Sequence, residues 1–277
     1  MYLQFCLGLC LLLIIITLCI LLKNNEKYSN LPKAQVVTYA THDQGMYKDL
    51  INNKFGIPVK TLGFGTKWKG FTDKVKGFVK YLNTCEPDTI VIFIDGFDSA
   101  IVKPLDVVIQ RFLDYDTEIL LSLDQGSHDG YMRRQVFGSC DGKYIINSGL
   151  YMGYARTLKR FLNFINNKNY STDDQRNFNQ ACKTFQNMIK LDTKQTVFNN
   201  LAPHNLKRIT KNFTNLDACF VQLPGEISYD RVIRRGTKEY YPFIKKEVEW
   251  IVSLCLIIIF AIVSIMFFTK YFKNNPI

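Results

Sequence analysis

No C-x-x-C pair occurs anywhere along the chain, and histidine is reduced to three scattered residues, His42, His128 and His204. The first absence excludes a zinc ribbon and a dense disulfide framework, since both need closely spaced thiols. Cys6, Cys10, Cys19 and Cys255 lie inside long apolar runs, while Cys85, Cys140, Cys182 and Cys219 stand far apart between those runs. Each histidine reads as an isolated polar residue. Nucleic-acid recognition motifs are also lacking, although 35 Lys and Arg against 24 Asp and Glu give a net charge of +11. The cations are dispersed except for a cluster at 231–245, beside an apolar run, where anionic lipid headgroups are the simpler partner. No nucleic-acid partner is expected.

Charge is missing from residues 2–22, "YLQFCLGLCLLLIIITLCILL", and residues 249–268, "EWIVSLCLIIIFAIVSIMFF", carry only Glu249 at their edge. About 20 apolar residues are what a helix needs to cross a hydrocarbon core of roughly 30 Å. Both runs, 1–22 and 249–269, are therefore predicted membrane spans, with Trp250 and Tyr271 as interface anchors. The first lacks a basic n-region, is longer than an ordinary signal-peptide core and is followed by no small-x-small site, which favours an uncleaved anchor over a signal peptide. Residues 23–33 then read as a stem and 34–240 as the domain. Lys23, Lys27 and the basic 231–245 stretch argue for a cytoplasmic domain. The sequons at Asn169 and Asn212 argue for a lumenal one. The side of the membrane stays open.

Between the spans the chain is long enough for one globular core and alternates strand-like with helix-like segments. "AQVVTYAT" (34–41), "VKTLGFG" (59–65), "TIVIFI" (89–94) and "EILLSLD" (118–124) read as strands. "HDQGMYKDLINNKF" (42–55), "TDKVKGFVKYLN" (72–83) and "PLDVVIQRFLD" (104–114) read as helices, the last with Pro104 at its first helical position. Continuous β-branched runs separated by helices predict a parallel sheet covered on both faces. Ligands bind such sheets beyond the carboxyl ends of the strands. Asp95 sits at such an end, and "TIVIFIDGFDSA" (89–100) places Asp98 three residues further on.

Two carboxylates on one strand-end turn are hard oxygen donors that suit Mg²⁺ or Mn²⁺, and such a cation stabilises a diphosphate leaving group. The bland alternative is a pair of turn or helix-capping aspartates. A haloacid dehalogenase-type phosphatase would need its second aspartate where Phe97 stands. Two later segments bear on the choice. In "KYIINSGLYMGYA" (143–155), Gly149 lets a sugar or phosphate approach the backbone, or simply bends a strand. "STDDQRNFNQACKTF" (171–185) opens a helix with Ser171 or Thr172 as cap and acids in its first turn.

In order and spacing, "VVTYAT", "LGFGTKW", "DKVKGFVKYL", "IVIFIDGFDSAIVKP", "KYIINSGLYMGYA", "STDDQRNF" and "LDTKQTVFNNL" resemble the glycosyltransferase domain of the procollagen lysyl hydroxylases and its stand-alone and viral relatives, over roughly residues 35–225. The resemblance implies an α/β fold of the GT-A (Rossmann-like) type, a mixed sheet with flanking helices. It also implies transfer of glucose or galactose from a UDP-sugar to a hydroxyl acceptor, (galactosyl)hydroxylysine of collagen-like protein being the acceptor suggested. The cofactor implied is Mn²⁺, or Mg²⁺ in its place. Matched residue by residue, Asp95 and Asp98 take the metal–diphosphate role, and Thr38, Thr41, Trp68, Lys74 and Gly149 fall on the donor side. Asn147 matches the sugar pocket. Asp173 and Asp174 match the acidic run facing sugar and acceptor, with Asp174 the candidate for orienting the sugar or stabilising oxocarbenium charge. The dioxygenase module of those hydroxylases has no counterpart, so no hydroxylase activity is expected.

Two departures stand out. The late metal ligand of the family is a histidine, and "CFVQLPG" gives Gln222 instead. His204 comes too early to replace it, and His128, in the loop after the fourth strand, reads as a surface residue whose loop is a candidate border of the acceptor groove. The glycine-rich loop between Trp68 and Lys74 is also shortened. These departures motivate an alternative, a catalytically degenerate membrane protein with a binding or structural role. Asn-, Lys- and Ile-rich usage points by composition to an AT-rich genome such as that of a large virus, with a host endomembrane or virion membrane as the location.

Overall fold

The computed structural model describes residues 14–15, 31–124, 134, 137–168, 173–201, 213, 216–224 and 251–266. The chain divides into two units, Met1–Tyr229 and Asp230–Ile277. In the first, six strands form a sheet in the order β2-β1-β3-β6-β5-β7. These are β1 (Ala34–Tyr39), β2 (Val59–Leu62), β3 (Ile90–Asp95), β5 (Ile119–Leu123), β6 (Ile146–Tyr154) and β7 (Ile189–Leu191). A second sheet takes the order β4-β9-β8, from Ser99–Ile101, Phe220–Gln222 and Phe198–Asn200. The helices are α1 (Tyr47–Ile51), α2 (Thr72–Leu82), α3 (Leu105–Asp114), α4 (Ala155–Lys168) and α5 (Asp174–Thr184).

The sheet is mixed. β1 runs parallel to β2 and β3, and β5 parallel to β7, but β6 is antiparallel to both β3 and β5. This corrects the all-parallel expectation from strand composition and agrees with the mixed sheet that the family resemblance implies. β6 is buried along eight of its nine residues, and a strand covered on both faces reads as apolar whichever way it runs.

Alternation along β3 builds the two cores. Val91 and Phe93 point to one face, where Val75 and Phe78 of α2, Phe161 of α4 and Phe178 of α5 cover them. Ile90, Ile92 and Ile94 point to the other, against Leu50 of α1, Val108 and Phe112 of α3, and Phe198 and Phe220 of the small sheet. Asp95 continues the parity of Val91 and Phe93. Its carboxylate is thereby directed to the side of α2 and α5.

Two helix starts differ from expectation. Pro104 is the residue before α3, extended at ψ 159°, rather than its first turn. Asp173 caps α5, its Oδ1 accepting from Arg176 N at 3.0 Å; Ser171 and Thr172 lie outside the described residues. Cys140 and Cys182 form a disulfide spanning 42 residues, a pairing that separation in sequence concealed.

In the second unit, residues 251–266 are helical. Among the described residues no helix is long and apolar enough to cross a membrane. The predicted span 249–269 is thus described only over 251–266, about 24 Å of helix at 1.5 Å per residue. Of the predicted span 1–22 only 14–15 are described, also helical, and the stem at 23–30 lies outside.

Candidate active site

Asp95 ends β3, and the turn Gly96–Phe97 delivers Asp98 to the start of β4. Gly96 is needed there for space: a Cβ would lie 3.0 Å from Thr38 Oγ1 and 3.1 Å from the Tyr39 carbonyl. β4 then pairs with β9 in a register that sets Ser99 opposite Gln222, and Leu223 N donates to the Asp98 carbonyl at 2.8 Å. This pairing carries Gln222 to the two aspartates across more than 120 residues of chain. Its Nε2 donates to Asp95 Oδ2 at 3.0 Å and to Asp98 Oδ1 at 3.1 Å. The carboxylates therefore converge on one atom's position. Gly149 of β6 closes the same pocket, since a Cβ there would overlap the Gln222 amide and lie 2.6 Å from Asp95 Oδ2. Its value is room rather than unusual backbone geometry.

A second set of charges adjoins the first. On α2, Lys74, Phe78 and Leu82 follow one another at helical spacing and are all buried. The amphipathic face that holds the core thus also aims an ammonium at the end of β3. Lys74 Nζ lies 3.0 Å from Asp95 Oδ1 and 2.8 Å from Asp174 Oδ2. Asp174 reaches this point because α5 is locked to β6: Asn179 accepts from Ile146 N at 2.9 Å and donates to the Ile146 carbonyl at 3.2 Å. Phe178, one turn after Asp174, packs on Tyr151 with ring centroids 5.0 Å apart. Burial works against the Lys74 charge, but the Asp174 and Asp95 carboxylates overcome it and hold the ammonium well above its ordinary value. Burial pushes the Asp95 carboxyl up, and the nearby Asp174 carboxylate adds to this against the pull of Lys74.

The other expected residues fall around this centre with different duties. Thr38 is fully buried and gives its hydroxyl to the Ile94 carbonyl at 2.7 Å, so it braces the strand ends. Thr41 Oγ1 bonds His42 Nδ1 at 2.9 Å, and its carbonyl accepts from Gly65 N. His42 packs on Phe97 of the aspartate turn at 5.3 Å. Trp68 is 42% exposed and stands 5.9 Å from Tyr39 and 5.7 Å from Phe71, which is itself exposed. Asn147 turns Oδ1 to Gly149 N at 2.7 Å, fixing the glycine against the acids. Asp173 serves the cap of α5, whereas Asp174 reaches the ion pair.

Sequence reasoning missed three features. Gln175 follows Asp174 and has a buried Nε2 without a partner. Ser99 and Asn200 flank Gln222 in the small sheet. Asp192 is fully buried, accepting from Tyr115 Oη at 2.5 Å, Thr196 N at 3.1 Å, Val197 N at 2.8 Å and Phe198 N at 2.6 Å. Only the last left a trace, an acid opening the polar turn "DTKQT".

Among the described residues no group of three or more His, Cys, Asp or Glu is placed to hold a metal ion. The donor set here is two carboxylates and an amide, Asp95, Asp98 and Gln222. All three offer oxygen, Gln222 Oε1 is buried without a partner, and a Cβ at Gly149 would fill the cradle. That set fits a hard divalent cation.

Residues 30–221 match the family model of the PLOD GT domain. A procollagen-lysine,2-oxoglutarate 5-dioxygenase of Drosophila melanogaster is 28% identical over 203 residues, which is 67% of this chain and 28% of the fly protein. A multifunctional procollagen lysine hydroxylase and glycosyltransferase of Caenorhabditis elegans is 25% identical over 235 residues, 77% of this chain and 29% of that protein. The rat enzyme LH3, from Rattus norvegicus, is 26% identical over 194 residues, 62% of this chain and 25% of its own length. The chain therefore spans less than a third of these relatives. Among solved structures, the galactosyltransferase LgtC aligns with a TM-score of 0.42 and 12% identity over 69% of this chain and 87% of that one. The bifunctional glycosyltransferase WbbM aligns at 0.44 and 12%, over 78% and 52%. Neither likeness is strong enough to carry weight beside the family match. With that match running from the first strand of the sheet to the last, the chain belongs to the PLOD GT domain family, a family of glycosyltransferases.

Proposed function

We propose that the protein is a divalent-cation-dependent hexosyltransferase, anchored to a membrane, that moves glucose or galactose from a UDP-sugar to a hydroxyl of a collagen-like acceptor. The observation that carries this reading is the convergence of Asp95 and Asp98 on the Gln222 amide beside the Lys74–Asp174 pair. Bound there, Mn²⁺ or Mg²⁺ supplies neutralisation of the diphosphate as it leaves. The chain's own residues do the rest. Lys74 fixes the Asp174 carboxylate at the edge of the pocket, where it orients the sugar and balances positive charge developing at the anomeric carbon. Asn147 and Gly149 shape the floor, and the half-exposed Trp68 offers a flat face for a base.

Membrane attachment draws support from residues 251–266. Ile257, Phe260, Ile265 and Met266 of that helix are 65%, 74%, 63% and 64% exposed. A helix with no charged residue and apolar side chains exposed along its length is costly in water and at home in lipid. The acceptor comes from the family resemblance, and the side of the membrane on which the domain lies stays open.

The test is a panel of UDP-sugars with Mn²⁺ and the purified full-length chain, read as UDP release. Release with UDP-glucose or UDP-galactose that is lost in D95A and D98A supports the assignment. Absence of both release and cation-dependent donor binding would leave the degenerate binding protein, the reading that Gln222 motivates.

A further inference from the structure

Exposed apolar surface is concentrated on one short loop. Between residues 31 and 224, the described residues that expose a large apolar side chain are Phe64, Trp68 and Phe71, at 57%, 42% and 49%. All three lie in the loop that joins β2 to α2. Single apolar residues scattered over a surface are ordinary, whereas a local concentration marks an interaction site. The same stretch is cationic. From residue 60 to residue 80 the chain carries six lysines and one acid, Asp73. Lys74 is buried in the site, and Lys60, Lys67, Lys69, Lys76 and Lys80 are exposed.

That exposure is built into the loop. Thr66 donates to the Gly63 carbonyl from its N at 3.0 Å and from its Oγ1 at 2.6 Å, and Gly65 N donates to the Thr41 carbonyl at 2.9 Å. Lys69 N donates to Asp73 Oδ2 at 2.8 Å. Gly63 turns the chain at φ 75°, where a Cβ would overlap the Tyr39 ring. Phe64 stacks on Tyr47 at 5.7 Å, and Trp68 meets Phe71 edge-on at 5.7 Å. The rings are thus held by an ordered backbone and still present much of their surface to solvent. β1, β2 and β3 are parallel, so the loop leaves the same end of the sheet at which Asp95 lies.

We infer that this loop docks on an anionic bilayer surface, with Phe64 and Phe71 entering the boundary between headgroups and acyl chains and the exposed lysines meeting lipid phosphates. Aromatic rings suit that boundary, and long ammonium side chains reach back from it to the headgroups. Charge selects the occupant. Five exposed lysines against one acid complement a surface of negative headgroups, and the exposed apolar helix 251–266 brings the same chain to lipid in the reading above. The inference rests on that proposed attachment and adds that the domain itself touches the membrane. Trp68, given above to the base, stands between the two phenylalanines in the chain. The end of the sheet that carries Asp95 then lies beside the headgroups, where an acceptor held at the membrane meets it more readily than one in solution.

The test uses the full-length chain in nanodiscs of phosphatidylserine and phosphatidylcholine whose acyl chains carry bromine, a short-range quencher of tryptophan. The chain has two tryptophans, Trp68 and Trp250, so F71W in a W68F/W250F background places the reporter on the loop alone. Its emission is expected to fall about twofold against discs without bromine. K67E/K69E added to that background should restore most of the emission and leave thermal unfolding unchanged, since both side chains are exposed. W68F keeps Trp250 and reports the attachment itself. Quenching in W68F without quenching at position 71 overturns the docking and leaves the attachment standing. Absence of quenching in both overturns the two together. Quenching at position 71 that K67E/K69E does not relieve overturns the anionic surface as partner. Emission at position 71 that responds to a collagen-like peptide and not to brominated lipid gives the loop to a protein partner and overturns the inference.

Discussion

Lys74 and Asp174 form a buried ion pair, Nζ to Oδ2 2.8 Å, across 100 residues of chain. The pair ties the first turn of α2 to the first turn of α5, and Asp95 shares the same ammonium. The dispersed motifs of the sequence therefore meet in one electrostatic unit, and removing Lys74 leaves both acids buried without their counter-charge.

K74M should accordingly cost about 3–5 kcal/mol of folding stability, the range for stripping one partner from a buried pair. The pH dependence follows from the sign of the shift. The folded-state value of Lys74 is raised, so its contribution is complete below the unfolded value of about 10.4 and is lost only as pH rises beyond it. Urea unfolding of parent and variant between roughly pH 6 and 9 should show the variant less stable throughout, since Lys74 stays charged over that window. Equal stability of parent and variant near pH 9 would contradict a charged Lys74.

G149A should separate site from fold. The added methyl overlaps the Gln222 amide and presses on Asp95 Oδ2. Overpacking of this kind costs about 1–3 kcal/mol, which a domain of this size tolerates. UDP release should nevertheless fall below about a tenth of the parent rate, because sub-ångström displacement of catalytic groups is costly. Thermal unfolding beside the donor assay checks both halves.

Reduction of the Cys140–Cys182 bridge should loosen α5, the helix that carries Asp174. Closing a loop of 42 residues stabilises by about 4 kcal/mol in the chain-entropy account. Denaturant unfolding with and without dithiothreitol, and of C140S/C182S under both conditions, measures it. The double variant should match the reduced parent and ignore the reductant. A bridge of this kind persists in an oxidising environment and is lost in a reducing one.

Much of this architecture was legible in the residues, and the part that was not has physical reasons. The apolar run before Asp95 announces a strand covered on both faces, and α2 and α3 fall almost where their periodicity puts them. The direction of β6 was hidden because two-sided burial erases the alternation that distinguishes its faces. The cap of α5 was misplaced because Ser171, Thr172 and Asp173 are all competent caps and only tertiary contact selects one. Asp95 and Asp98 were visible as a local pair, but their link to Gln222 depends on the β4–β9 register, which no local pattern encodes. Asp192 drew no notice because its four donors come from a turn and from Tyr115 on another element.

That hidden acid carries the last prediction. Asp192 takes Val197 N and Phe198 N on one oxygen and Tyr115 Oη and Thr196 N on the other, and so shapes the turn that starts β8. Burial, and then the bond to Asp192, push the Tyr115 phenol up to about 12. D192N presents an NH₂ to backbone donors that need an acceptor, leaving at least one of them buried and unpaired. The expected loss is about 3 kcal/mol, from a charge-assisted bond given up and a donor stranded. Y115F removes only the phenolic donor and should cost about 1 kcal/mol. Because β8 carries Asn200 into register with Gln222, D192N should also weaken Mn²⁺ binding, whereas Y115F should leave it unchanged. Chemical denaturation paired with Mn²⁺ titration of both variants distinguishes this from a purely local role: equal Mn²⁺ affinity in D192N and the parent would confine Asp192 to the stability of its own turn.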